Sequence, residues 1–179
     1  MPKIINLNQE LLEQCMQRNP VAQRKIYDMY VRAMFNTSLR IVNQREDAED
    51  VVQESFVTAF GTIDKVKDLR AFGGWLKRIV INKSLNVVKK KKLKFVEMEY
   101  DLKAEEADET LNEWSKFSIQ HIKQAILKLP DGYKAVFSLY MFEDFSHKEI
   151  ASQLGITEST SKSQLNRAKH KLKEMLIAL

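Results

Sequence analysis

Two groups of polar side chains in this 179-residue chain have the spacing to engage a polyanion, and a third has the spacing to meet a protein. Between residues 159 and 170, Ser159, Lys162, Ser163, Asn166, Arg167 and His170 recur at intervals of three and four, which a helix places on one face. Cations hold phosphates, and short or bidentate polar groups reach base edges; a helix lying in a DNA major groove needs both. Upstream, Arg78, Asn82, Asn86 and Lys90 repeat every four residues, and residues 77–94 contain eight basic side chains and no acidic one. Asparagine amides both donate to and accept from bases, while lysines follow a phosphate backbone. The third group is Asp47, Asp50 and Glu54, with Gln53 beside them on the same face of a helix. An acidic and amide ridge repels DNA and suits a protein partner with a basic surface. No nucleophile–base pair, phosphate-cradling glycine loop or metal-ligand spacing is evident in the sequence, and His121, His147 and His170 show no ligand pattern. The chain is expected to bind rather than catalyse, without a cofactor or metal.

The elements that must carry these groups read as helices throughout. Gly (5) and Pro (3) are scarce, and 44% of the residues are hydrophobic, enough to bury cores while leaving few turn signals for a sheet. A short amphipathic helix is expected over residues 8–17. Asn19-Pro20 opens a longer one, with Asn19 as cap and apolar positions Ile26, Tyr30, Met34 and Ile41 running to about Val42. A third spans about Glu46 to Phe60, with Val52, Phe56, Ala59 and Phe60 turned inward. After Gly61 and a polar loop at Asp64–Asp68, a fourth begins near Arg70, buries Phe72, Leu76, Val80 and Val87, and continues into Lys89–Lys92. Residues 93–114 are acidic and weakly periodic, the pattern of a tether. Order returns with Trp114, Phe117, Ile122, Ile126 and Leu129, breaks at Pro130-Asp131-Gly132, and resumes over Tyr133–Phe142.

The sharpest local pattern is SHKEIASQLGITESTSKSQLNRAKHKL, residues 146–172. Ser146 and Glu149 have capping-box spacing, Ile150, Ala151 and Leu154 form an apolar face, and Gly155 supplies the left-handed backbone of a tight interhelical turn. Thr157 caps the next helix, whose core stripe reads Leu165, Ala168, Leu172, Met175 and Leu179. This is a helix-turn-helix pattern.

Net charge is +5, but its distribution is uneven: 18 basic against 10 acidic side chains in residues 1–94, 2 against 8 in 95–119, and 9 against 6 in 120–179. Two basic bodies joined by an acidic strap suit two separate contacts with a polyanion. Cys15, the only cysteine, falls within the first helical pattern beside Leu11, Leu12 and Met16, where it reads as a buried thiol of a reducing compartment. Neither a signal peptide nor an apolar stretch of about 18 residues is present, so a cytoplasmic protein without membrane insertion is expected.

Taken in order, DAEDVVQESF (47–56) and WLKRIVINKSLNVVKKKK (75–92) resemble the second conserved region of extracytoplasmic-function sigma factors of bacterial RNA polymerase. Residues 127–172, from LKLPDGYKAVFSLYMFEDF through the helix-turn-helix, resemble their fourth region. The resemblance implies that Asp47, Asp50, Gln53 and Glu54 grip the clamp helices of core polymerase, and that Arg78, Asn82, Asn86, Lys89 and Lys90 engage the −10 element. It likewise implies that Leu69–Phe72 and the loop before them capture a flipped base, and that Ser159, Thr160, Lys162, Ser163, Asn166 and Arg167 bind the −35 element. Core RNA polymerase, promoter DNA and an anti-sigma factor are the implied partners. Ser161 stands where the family usually has Val and Gln164 where Arg is common, and Gln164 and Asn166 are expected to shift base preference.

The expected architecture is all-α: a bundle over residues 1–92, a flexible acidic linker over 93–114, and a second bundle over 115–179 ending in the helix-turn-helix. Two rival functions fit parts of the pattern. A free-standing dimeric helix-turn-helix repressor or activator needs neither the acidic ridge nor the paired asparagines. A nucleic-acid-processing enzyme needs Asp47, Glu49, Asp50 or Glu54 to hold a metal.

Overall fold

The computed structural model describes residues 2–90 and 116–178, which form helices without strands. Inter-residue contacts divide the chain into two units, Met1–Leu39 with Gln44–Val87 and Arg40–Asn43 with Val88–Leu179. The expected tether at 93–114, and the expected core positions Trp114 and Leu179, lie outside the described residues.

In the first unit, α1 (Pro2–Met16) starts earlier than its apolar pattern suggests, and it ends where Arg18 adopts a left-handed backbone with φ 60°. Asn19 then caps α2 (Pro20–Val42), its Oδ1 accepting from the amides of Val21 and Ala22 at 2.9 and 3.2 Å. α3 (Arg45–Gly61) carries Glu46 and Asp47 in its first turn, where carboxylates oppose the positive end of the helix dipole. Two short 3-10 turns, Ile63–Lys65 and Leu69–Ala71, fill the stretch that reads as loop. Asp68 caps the second, accepting from the Arg70 amide and holding its guanidinium in a two-pronged ion pair at 3.0 and 3.1 Å. α4 (Phe72–Lys90) follows directly.

These helices enclose Leu12, Cys15, Ile26, Met34, Val52, Phe56, Phe72, Leu76 and Val80, all buried. Each fully buried Leu, Ile or Phe contributes roughly 1.5–3 kcal/mol relative to exposure. Burial also pushes the Cys15 thiol up to about 11, which keeps it protonated and unreactive at neutral pH. On α4, Ile81, Ser84, Leu85 and Val88 are buried and Val87 only partly so, one residue out of phase with the expected stripe. Ser84 is satisfied across the bundle by Ser38, oxygen to oxygen 2.9 Å.

The adjacent glycines at the head of α4 differ in kind. A Cβ on Gly73 would meet Tyr30 Cε1 at 3.0 Å, so glycine there lets the Tyr30 ring pack close. Gly74 faces open space. Gly74→Ala is therefore expected to raise stability by about 0.5 kcal/mol through reduced chain entropy, whereas Gly73→Ala is expected to lower it. Urea midpoints of the two variants check this.

In the second unit, α5 (Ile119–Leu127) is capped by Ser118, whose Oγ accepts from the His121 amide at 3.2 Å. α6 (Asp131–Phe142) starts two residues before the expected Tyr133. Pro130 occupies the cap position and Asp131 complements the dipole in the first turn, so the break falls over Lys128–Pro130 rather than over Pro130-Asp131-Gly132. α7 (His147–Leu154) has the full capping box between Ser146 and Glu149, Gly155 turns with φ 69°, and Thr157 caps α8 (Glu158–Ile177) through the Thr160 amide. α8 packs on α5, α6 and α7. Its buried stripe is Ser161, Gln164, Leu165, Ala168, Lys169, Leu172 and Leu176; Leu176, rather than half-buried Met175, carries it through the last turns. α6 buries the Lys134 side chain, which donates to the Leu127 carbonyl; desolvation pushes its ammonium down to about 8 against the opposing charge of Asp131.

Candidate functional site

The first unit presents two faces. On α3, Asp50, Gln53 and Glu54 are exposed and Asp47 is half-buried, while Ala48, Val51, Val52, Ser55, Phe56 and Ala59 turn inward. The apolar stripe thus forces the carboxylates outward. Glu54 is not a lone charge: Lys83 Nζ of α4 lies 3.3 Å from its Oε2, which ties the ridge to the basic helix. Val57, 74% exposed, extends the ridge by one turn as an apolar knob that spacing of charges alone does not reveal. Gln53 also borders a cleft of about 380 Å³ between α2 and α3, lined by Tyr27, Val31, Phe35 and Val52 together with Arg32, Arg45 and Glu49. Glu49 is held by Arg45 at 2.8 Å, and the Arg45 guanidinium stands 5.5 Å from the Phe35 ring centre.

The second face lies on α4. Gly74, Arg78, Asn82, Asn86, Lys89 and Lys90 are exposed, opposite the buried Phe72, Leu76, Val80, Ser84 and Val88. Neither asparagine amide is engaged among the described residues. Lys91 and Lys92 lie outside the described residues. The preceding segment differs from its reading as a base-capturing stretch in one respect. Phe72 is fully buried, with Tyr30 and Trp75 rings 5.7 and 5.8 Å away, so it belongs to the core; Arg70 and Ala71 are exposed and Leu69 half-buried.

In the second unit, α8 exposes Ser159, Lys162, Ser163 and His170 and half-exposes Thr160, Asn166 and Arg167. The Thr160 hydroxyl is spent on the cap, 2.8 Å from Thr157 Oγ1. Lys162 pairs with Glu158 at 2.9 Å and holds that carboxyl below its ordinary range. His170 pairs with Glu174 at 3.3 Å. Gln164 is 1% exposed and faces the core, so it cannot reach a base edge; the expectation that it shifts base preference fails because helical phase turns it away from Asn166. Lys169 is buried by the same phase, which leaves Lys171 and Lys173 as the exposed lysines of the following turn.

Ser161 is fully buried, and its hydroxyl meets His147 Nδ1 at 2.9 Å. His147 in turn stacks on Tyr140, ring centres 4.6 Å apart and planes 21° from parallel. Spacing along the chain gives His147 no partner. Its offset of fourteen residues from Ser161 becomes a contact only because the Gly155 turn folds α8 back across α7.

The arrangement can hold a nucleic-acid backbone and address bases from two separate helices, and can offer an acidic surface to a protein. Among the described residues no three His, Cys, Asp or Glu side chains converge to hold a metal ion, and no helix is long and apolar enough to cross a membrane.

Comparison with known proteins places the two units. Residues 26–93 match the family model "Sigma-70 region 2", and residues 119–172 match "Sigma-70, region 4". The extracytoplasmic-function RNA polymerase sigma factor SigW of Bacillus subtilis is 32% identical over 167 residues, covering 84% of this chain and 87% of that protein. RNA polymerase sigma factor SigV of the same organism is 30% identical over 151 residues, covering 81% and 83%. Among solved structures, that of CnrH in complex with the cytosolic domain of CnrY shares the fold with a TM-score of 0.50 at 23% identity, over 96% of this chain and 97% of that one.

Proposed function

This chain belongs to the extracytoplasmic-function sigma factors of bacterial RNA polymerase, and on that premise we propose how its surfaces divide the work. As a sigma factor it binds core RNA polymerase and directs initiation to specific promoters. We assign core binding to Asp47, Asp50, Gln53 and Glu54 on α3, and the −10 element to Arg78, Asn82, Asn86, Lys89 and Lys90 on α4. The −35 element falls to Ser159, Lys162, Ser163, Asn166 and Arg167, with Thr160 serving the cap that starts their helix. Functional boundaries at 1–92, 93–114 and 115–179 follow from this division. The activity is binding without catalysis, carried out in the cytoplasm where the polymerase is, and an anti-sigma factor is the proposed inhibitor on family membership alone.

One observation carries the upstream assignment. The capping box at Ser146, the left-handed Gly155 and the Thr157 cap hold α8 so that its buried stripe points inward and Lys162, Ser163, Asn166 and Arg167 point out together. A major-groove helix requires this division of faces.

The test is to reconstitute the chain with core polymerase and sequence the 5′ ends of the transcripts. Starts preceded by a common pair of elements are expected. Arg167→Ala and Lys162→Ala should each weaken promoters that depend on the upstream element. A lost base-edge contact costs about 1–3 kcal/mol, and a lost phosphate contact lowers the salt slope of binding by about one. An unchanged footprint over the upstream element in both variants would remove α8 as its reader.

A further inference from the structure

His147, the first residue of α7, reaches over the turn to the fully buried hydroxyl of Ser161 in α8. A buried helical serine can satisfy itself on its own helix, as Ser55 does by donating to the Val51 carbonyl at 2.6 Å, or across the bundle, as Ser38 and Ser84 do at 2.9 Å. Ser161 takes the second course, spending its hydroxyl on His147 across the helix pair. The residues immediately after it, Lys162 and Ser163, are exposed, and Asn166 and Arg167 follow one turn later. The cross-helix bond is therefore anchored at the root of the proposed reading face.

Apolar packing of Leu165, Ala168 and Leu172 against the bundle says which side of α8 is inward, yet dispersion contacts tolerate small rolls of a helix about its axis. A hydrogen bond does not, because its strength falls steeply as length and angle depart from ideal. Base-edge recognition needs donors held within about 0.5 Å and 10–20° of their productive geometry, which a roll of α8 would exceed at the tips of Asn166 and Arg167. Tyr140 of α6 completes the constraint, since its ring lies flat against the imidazole and limits the plane in which Nδ1 can point.

Resting on the reading of α8 as the −35 helix, we propose that His147 and Ser161 are positioning residues for promoter discrimination: their hydrogen bond, backed by Tyr140, sets the roll of α8 and so which base pairs its exposed side chains accept. The surroundings keep the imidazole suited to this task. Tyr140 on α6, Lys148 on α7, and Glu158, Lys162 and Lys169 on α8 are the titratable groups around it. Burial and the nearby Lys162 and Lys169 hold the ring below its ordinary range, against the weaker opposite pull of Glu158. A neutral ring has one donating and one accepting nitrogen, and either role of Nδ1 matches a hydroxyl.

Two substitutions separate the hydrogen bond from the stack. His147→Phe keeps a ring on Tyr140 and loses Nδ1, whereas His147→Asn loses the ring and keeps a polar atom at the Nδ1 position. Holoenzyme made with each full-length variant is bound to its cognate promoter and to the same promoter with single −35 base pairs changed. His147→Phe and Ser161→Ala are expected to lower the cognate-to-changed affinity ratio about fivefold, part of what one well-placed bidentate contact supplies. Their salt slopes should match wild type, because phosphate contacts are untouched, and His147→Asn should discriminate within about twofold of wild type. Wild-type discrimination in His147→Phe overturns the proposal. So does equal loss in the Phe and Asn variants, because a defect shared by the variant that keeps the ring and the one that keeps the polar atom lies in the fold of the site rather than in the hydrogen bond. Arg167→Ala is measured alongside. If it too leaves −35 affinity unchanged, the assignment of α8 fails and takes this inference with it; if it weakens binding while His147→Phe does nothing, only the role of His147 fails.

Discussion

Reversing Asp50 and Glu54 together to lysine should detach this sigma factor from core RNA polymerase while leaving its helices intact. Both side chains are exposed on α3, and the inward face of that helix is apolar and untouched by the change. The fold therefore has little reason to respond, apart from loss of the surface pair between Glu54 and Lys83, whose 3.3 Å contact is worth no more than about 1 kcal/mol. The interface has every reason to respond. A ridge of carboxylates facing a basic partner becomes a ridge of ammonium groups, and like charges forced together across an interface cost several kcal/mol. At 1.4 kcal/mol per factor of ten, a loss of about 3 kcal/mol is roughly a hundredfold in affinity. Asp50→Lys alone keeps the Glu54–Lys83 pair and serves as the control for stability. Circular dichroism should overlay wild type, and co-purification with core enzyme should fall away. Wild-type co-purification by the double variant would mean that the ridge is only a solvated helix face.

The second large effect is expected at α4. Replacing Asn82 and Asn86 with alanine should cut open complex by about tenfold or more while leaving initial docking on duplex DNA nearly intact. Both amides stand on the exposed stripe between Arg78 and Lys89–Lys90, and neither is engaged within the described protein. The cations on that stripe suffice to hold a backbone, so docking should survive. Extruding bases from the stack costs a few kcal/mol, which the protein must offset with hydrogen bonds and stacking on the exposed strand. Two lost polar contacts remove a comparable amount. The defect should be relieved on a template with a pre-melted −10 bubble if the amides stabilise opening, and should persist there if they read sequence. Permanganate reactivity of −10 thymines on a duplex promoter decides the matter. Wild-type reactivity in the double variant would leave the holding entirely to Arg78 and the lysines.

Much of this protein is legible in the sequence because its punctuation is local. Asn19, Ser146 and Thr157 each cap a helix through atoms no more than three residues away, and Gly155 needs only its own φ of 69° to make the turn. Such features depend on backbone geometry within a single turn, so residue type and spacing determine them. The charge segregation, the acidic ridge of α3 and the polar stripe of α4 follow for the same reason, since apolar residues at helical spacing push polar ones to the opposite face.

What only the tertiary structure decided is the phase of each helix where polar or borderline residues meet the core. Ser161, Gln164 and Lys169 look like part of a solvated basic helix, yet all three turn inward on α8 because α5, α6 and α7 surround that side. Phe72, inward by its spacing yet part of the base-capturing stretch by the family resemblance, is enclosed by Tyr30 and Trp75, and Gly73 and Gly74 look equivalent until the Tyr30 ring lands on one of them. His147 acquires a partner only across the folded turn. A helix advances 100° per residue, so an assignment of its buried face that is off by one position exchanges core for surface, as with Val87 and Val88 or Met175 and Leu176. Composition cannot resolve an offset that small. The side chains of the neighbouring helices do, by leaving room on one side and solvent on the other.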